Sequence, residues 1–209
     1  MTLTKTALQE TTITPQWFHT RMERVASCFD ELVRGEAAST LLRAAEELAR
    51  RLAMGGTIYW CGNGGSAGDS QHLAAELVGR FGRPGRGWPS VALTADSAVL
   101  TAAGNDFGYE TVFERQVRAL VEPRDAVVGI STSGRSQNVI NAIKEARARG
   151  AVTLALTGPG DSPLAEAAAF VIRAPGTSPS DIQTCHIAIG HLLCEAVIEL
   201  AESWEARDA

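Results

Sequence analysis

Several residues in this chain are spaced for chemistry on a small polar molecule. In Cys61-Gly62-Asn63-Gly64-Gly65-Ser66, three glycines permit positive φ and leave bare backbone open to a ligand. A predicted helix follows, and its free N–H groups attract an anion. His72 and Glu76 lie four apart on that helix, so they share a face and can grip one metal ion or one substrate. A solvated surface pair is the alternative. Ser131-Thr132-Ser133-Gly134-Arg135-Ser136 brings four hydroxyls to a second predicted helix start. Hydroxyl and N–H donors backed by a helix dipole suit a phosphate, whereas an ordinary N-cap needs one hydroxyl. Gln183 and His191 fall on a predicted terminal helix, roughly 80° apart around its axis, and can line one side of a cavity. His186 is either a further member of that lining or a satisfied core histidine. His19, near the start of the first helix, is read as a surface residue.

The elements that must hold these groups alternate. Apolar spacing predicts helices over Trp17–Arg34 and Glu36–Met54. Short apolar runs predict strands at Ile58–Cys61, Pro89–Leu93, Asp125–Ile130, Val152–Leu156 and Phe170–Arg173. Between them fall helices at Asp96–Ala103, Tyr109–Val121, Gln137–Arg149 and Pro163–Ala168, with a turn cluster at Gly104–Gly108. Ser180–Trp204 is a long last helix, capped by Ser180 or Asp181. Alternation of this kind implies a parallel sheet covered on both faces. Ligands then bind beyond the carboxyl ends of the strands, which makes the 62–66 and 131–136 loops neighbours. The first two helices carry apolar stripes that a partner subunit would cover.

Composition narrows the classes. The chain has 209 residues and 45% apolar content, the size of one large domain; residues 1–13 read as a flexible tail and 14–209 as a single domain. A net charge of −5 gives no basic footprint for nucleic acid. Cys28, Cys61, Cys185 and Cys194 form no C-x-x-C pair and sit in apolar segments, as reduced core residues do. No run approaches the ~18 apolar residues of a membrane span, and no signal core opens the chain; a cytoplasmic protein is expected. Gly62-x-Gly64-x-x-Ala67 formally matches a dinucleotide fingerprint. The carboxylate that fingerprint wants roughly 20 positions on is missing, since Asp96 is about 34 past Gly62. No G-x-x-x-x-G-K-[ST] loop occurs.

Taken as a set, Cys61-Gly62-Asn63-Gly64-Gly65-Ser66, His72-x-x-x-Glu76-Leu77-x-Gly79-Arg80, Gly104-Asn105-Asp106-Phe107-Gly108, Gly129-Ile130-Ser131-Thr132-Ser133-Gly134-x-Ser136-x-Asn138-Val139-Ile140 and Ile182-Gln183-x-x-His186-Ile187-x-x-x-His191 resemble the phosphoheptose isomerases of the sugar isomerase (SIS) domain family. The resemblance spans residues 20–200 in order. It implies a flavodoxin-like five-stranded parallel sheet flanked by helices, with the N-terminal helices and the long C-terminal helix used to form a homotetramer. It also implies conversion of sedoheptulose 7-phosphate to D-glycero-D-manno-heptose 7-phosphate. Ser131, Thr132, Ser133 and Ser136 would hold the phosphate of this sugar 7-phosphate. Asn63, Gly64, Gly65, Asn105 and Asp106 would contact the sugar, with Gln183 reaching it too. His72, Glu76, Gln183 and His191 would bind one Zn2+ per subunit, and Glu76 and His191 would be the acid–base pair. Neither nucleic acid nor membrane is an expected partner. Asp181 stands where relatives often carry a basic residue. A regulator of this fold that binds the replication initiator, and an isomerase of another sugar phosphate, are the competing expectations.

Overall fold

The computed structural model describes residues 13–79, 82 and 85–208. Apart from Ile13, the expected tail lies outside them, as does Arg80. The element order is α1 (Pro15–Arg34), α2 (Ala37–Ala53), β1 (Ile58–Gly62), α3 (Gly65–Val78), β2 (Ser90–Ala92), α4 (Ser97–Phe107), a 3-10 turn (Tyr109–Thr111), α5 (Val112–Leu120), β3 (Ala126–Ser131), α6 (Gln137–Ala148), β4 (Val152–Thr157), α7 (Pro163–Ala167), β5 (Phe170–Arg173) and α8 (Pro179–Asp208). The five strands form one parallel sheet in the order β2-β1-β3-β4-β5, the expected flavodoxin-like arrangement.

The three central strands are buried on both faces, which is why they are continuously apolar rather than alternating. Their side chains sort by the two-residue period of a strand. Ile58, Trp60, Val128, Ile130, Leu154 and Leu156 point to one layer, where α2, α3 and α8 supply Leu41, Leu48, Leu73, Leu77, Ile189 and Leu193. Tyr59, Cys61, Val127 and Ala155 point to the other, against Val112, Phe113, Val117, Val139 and Ile143 of α5 and α6. The four cysteines are buried and unpaired, as expected.

Three boundaries differ from expectation. α4 continues through Gly104 to Phe107, and only Gly108, at φ +88°, turns the chain. A glycine inside a helix costs about 1 kcal/mol, small enough for packing to override; at Gly104 a Cβ would stand 3.7 Å from Val112. α8 begins at Pro179, and its cap is Ser178, whose Oγ accepts the Asp181 N–H at 3.3 Å. Ser131 belongs to β3, paired with Thr157. α8 also overturns the absence of a membrane-length apolar run: by length and composition alone, Pro179–Glu205 passes that test. Its apolar side chains are the core of this sheet: Ile182, Cys185, Ile189, Leu193, Cys194, Val197 and Ala201 are all buried there.

α1 is different. Cys28 is its only buried residue, while Trp17, Phe18, Met22 and Val33 are exposed.

His186 resolves to the core alternative. It has no exposure, its Nε2 lies 3.0 Å from the Thr157 carbonyl oxygen, and burial pushes its pKa down. The unfolded chain therefore takes up a proton near pH 6.5 that the folded chain refuses. Stability should be full above that pH and fall as the pH drops below it. Urea titrations at pH 8 and 5.5 should show the loss, and His186→Gln should reduce its pH dependence. β3 offers a second test. At Gly129 a Cβ would lie 2.8 Å from Val139 Cγ1 and 3.0 Å from Ile143. Gly129→Val should lose about 1–3 kcal/mol by overpacking, read from the urea midpoint.

Candidate active site

β1 and β3 are hydrogen-bonded neighbours whose chains leave toward opposite faces, β1 into α3 and β3 into α6. Their carboxyl ends therefore open a crevice between the Gly62–Gly65 loop and the Ser131–Ser136 loop. The first loop needs its glycines. Gly64 has φ +56°, and a Cβ at Gly62 would stand 2.7 Å from the Ser66 carbonyl oxygen. In the second loop the Ser131 hydroxyl lies 3.0 Å from that of Ser136 and 3.4 Å from that of Ser133. Gly134, at φ +61°, makes the turn. The first-turn N–H groups of α6 have no intrahelical acceptors and face the same crevice. Thr132 is half-buried in this loop.

An amide pair joins the loops. Asn63 Nδ2 donates to Asn138 Oδ1 at 2.8 Å, and Asn138 Nδ2 donates back to Asn63 Oδ1 at 2.8 Å. The Val139 N–H also donates to Asn138 Oδ1 at 3.0 Å, which fixes the orientation of both amides.

The titratable residues converge on a second centre. His72 Nε2 lies 2.8 Å from His191 Nε2, although the residues are 119 apart in sequence, and 3.2 Å from Glu76 Oε1. One ligand atom from each of the three falls within 4.8 Å of the others. The spacing has a packing cause: at Gly190 a Cβ would stand 2.5 Å from Leu73 Cδ1, so α3 and α8 approach closely beside both histidines. His72 Nε2 carries at most one hydrogen, which cannot serve both an imidazole and a carboxylate. A cation shared by three lone pairs suits this donor set better. Two nitrogens and a carboxylate oxygen are acceptable to zinc.

Gln183 adjoins the cluster from α8. Its Nε2 donates to Asp69 Oδ1 at 3.3 Å, and its amide packs on Gly65. Asp69 was not among the expected residues. It is buried, its Oδ2 has no partner, and burial raises its pKa against the opposing pull of Gln183, His72 and His191. Its position one turn before His72, on the same helix face, was the available signal. Asn105 and Asp106 are not brought into either centre. They are exposed at the end of α4, and Asn105 Nδ2 donates to Asp106 Oδ1 at 2.8 Å.

Asp181 finds its counter-charge elsewhere on the chain. Arg24 of α1 donates to Asp181 Oδ1 at 2.9 Å, and the carboxylate is 2% exposed. Ser178, with Arg24 behind it, holds this carboxyl below its ordinary range despite burial. A Cβ at Gly65 would lie 2.4 Å from Gln183 Nε2. Gly65→Ala should therefore displace the Gln183 amide and lower activity at least tenfold, with the melting temperature little changed because Gly65 is exposed.

Comparison with known proteins agrees with this geometry. The SIS domain model matches residues 22–158. The phosphoheptose isomerase of Aquifex aeolicus is 48% identical over 163 residues, covering 78% of this chain and 85% of that protein. That of Rhodospirillum rubrum is 46% identical over 175 residues, covering 84% and 92%. The structure of phosphoheptose isomerase from Neisseria gonorrhoeae superposes with a TM-score of 0.82 at 36% identity, covering 88% of this chain and 98% of that one. With sequence, sheet order and both loops in agreement, the chain belongs to the SIS domain family.

Proposed function

We propose that this chain is an aldose–ketose isomerase that converts sedoheptulose 7-phosphate to D-glycero-D-manno-heptose 7-phosphate. One observation carries the reading: a carboxylate and an imidazole from opposite ends of the sequence, Glu76 and His191, meet at His72 beside a hydroxyl-lined helix N-terminus. The names of the close relatives point to the same substrate pair.

The reaction moves a proton between C1 and C2 through an enediol, which requires a base at carbon and an acid at oxygen. In this reading Glu76 takes the carbon-bound proton and His191 serves the oxygens. Ser131, Thr132, Ser133, Ser136 and the start of α6 hold the phosphate, which fixes the reacting carbons by the length of the sugar. Asn63, Gly64, Gly65, Gln183 and the Asn105–Asp106 corner complete the sugar contacts. His72, Glu76, Gln183 and His191 would hold one zinc ion per subunit. Such an ion polarises a carbonyl when bound. Glu76 cannot be a tight ligand and a free base at once, so weak or shifting coordination is expected.

The exposed apolar face of α1 supports a homotetramer, in which partner subunits cover Trp17, Phe18 and Met22. Four unpaired cysteines suit a reducing cytoplasm.

Aldose formation from sedoheptulose 7-phosphate tests the reading. Glu76→Gln should lower kcat about 10²–10⁴-fold. In D2O, solvent deuterium should enter C1 or C2 of the product. An inert unsubstituted chain, or full activity in Glu76→Gln, would sink the proposal; a product free of deuterium would replace the enediol by a hydride shift. Dialysis against a chelator should lower the rate, and added zinc should restore it.

A further inference from the structure

Tyr109 has no role in the function proposed above, yet its phenol reaches the centre of the site. It begins the 3-10 turn directly after Gly108 and is 60% exposed. Its hydroxyl lies 3.1 Å from Asn63 Oδ1. The polarity of that contact is fixed. The Val139 N–H holds Asn138 Oδ1, Asn138 Nδ2 therefore faces Asn63 Oδ1, and the atom Tyr109 meets is an oxygen. The phenol must donate. Asn63 Oδ1 then accepts two hydrogen bonds and is saturated, while one hydrogen of its Nδ2 is already given to Asn138. The single polar group that the Asn63 side chain can offer a ligand is its remaining N–H.

The same contact locates a corner of the fold. Asn105 and Asp106 end α4 two to four residues before Tyr109, and no hydrogen bond of their own ties them to the glycine loop. The corner is fastened on its far side by Asn141 of α6, whose Nδ2 donates to the Glu110 carbonyl oxygen at 3.0 Å. Gly108 closes it: at φ +88°, a Cβ there would lie 2.6 Å from Glu110 Oε1. Tyr109 is the bond between this corner and the glycine loop.

We propose that Tyr109 is a positioning residue of the sugar site. Through Asn63 it sets the Asn105–Asp106 corner over the glycine loop and leaves Asn63 a donor only, so that this side chain recognises an oxygen lone pair of the sugar. The substrate contact rests on the isomerase reading; the brace itself does not.

Tyr109→Phe removes the donor and keeps the ring. Loss of one neutral hydrogen bond is worth about a three- to tenfold change in an equilibrium. KM for sedoheptulose 7-phosphate should rise by that factor, with kcat within twofold and the melting temperature unchanged. An unchanged KM, or a fall in kcat with KM unaltered, would overturn the inference. The side-chain amide resonances of Asn63 and Asn105 in the 15N-labelled chain give a reading independent of turnover. Tyr109→Phe should shift both, and unmoved resonances would equally overturn the brace. If the unsubstituted chain is inert toward the sugar phosphate while these resonances move, the isomerase reading fails and the brace stands.

Discussion

The structure depends on the pairing of β1 with β3, in register from Ile58–Ala126 to Gly62–Ile130. Parallel pairing forces each strand to exit at the same edge of the sheet. Because the two crossovers then take opposite faces, nothing covers the ground between the exits. Every polar device in the site is a response to that gap. Glycines keep the β1 exit low, hydroxyls line the β3 exit, and the Asn63–Asn138 pair ties the two so that the crevice keeps a fixed width. The sheet supplies the rigidity and the loops supply the chemistry.

α8 solves a different problem. A helix that carries Gln183 and His191 into solvent-reachable space must also be held firmly enough to place them. It does so by burying Cys185, Ile189, Leu193 and Val197 in the layer beneath the sheet, where each apolar side chain is worth about 1.5–3 kcal/mol. The functional residues sit on the edge of that buried stripe, half-exposed. The same apolar content that satisfies a membrane-span test by composition is what anchors the site.

Much of this was legible from sequence. Strand positions followed from apolar runs, the sheet class from alternation, and the two ligand loops from glycine and hydroxyl content, because all of these are local signals. His72 and Glu76 were readable as a pair since they are one helical turn apart. Their meeting with His191 followed from the family resemblance, as periodicity says nothing about partners 119 residues away. What escaped had either a weak local signal or a distant partner. Gly104 looked like a turn because a glycine permits one, and packing against Val112 decided otherwise. Asp181 looked like an unexplained change of charge until Arg24, 157 residues distant, supplied the counter-ion. Asp69 looked like an ordinary helix polar residue, since burial cannot be read from a residue's own identity. Tyr109 looked like a helix start, and its bond to Asn63 exists only because the fold brings residues 46 apart together.

One small feature has a reach beyond its size. Gly190 and Leu73 interlock where α3 crosses α8, and their chain neighbours are His191 and His72. The gap between two imidazoles is therefore gauged by a missing methyl group rather than by the imidazoles themselves. A lineage that gained a side chain at position 190 would spread the helices and widen the mouth of the nitrogen pair without altering a single reactive group. Through that hinge-like wedge, the affinity for whatever ion lodges there becomes a matter of hydrocarbon volume.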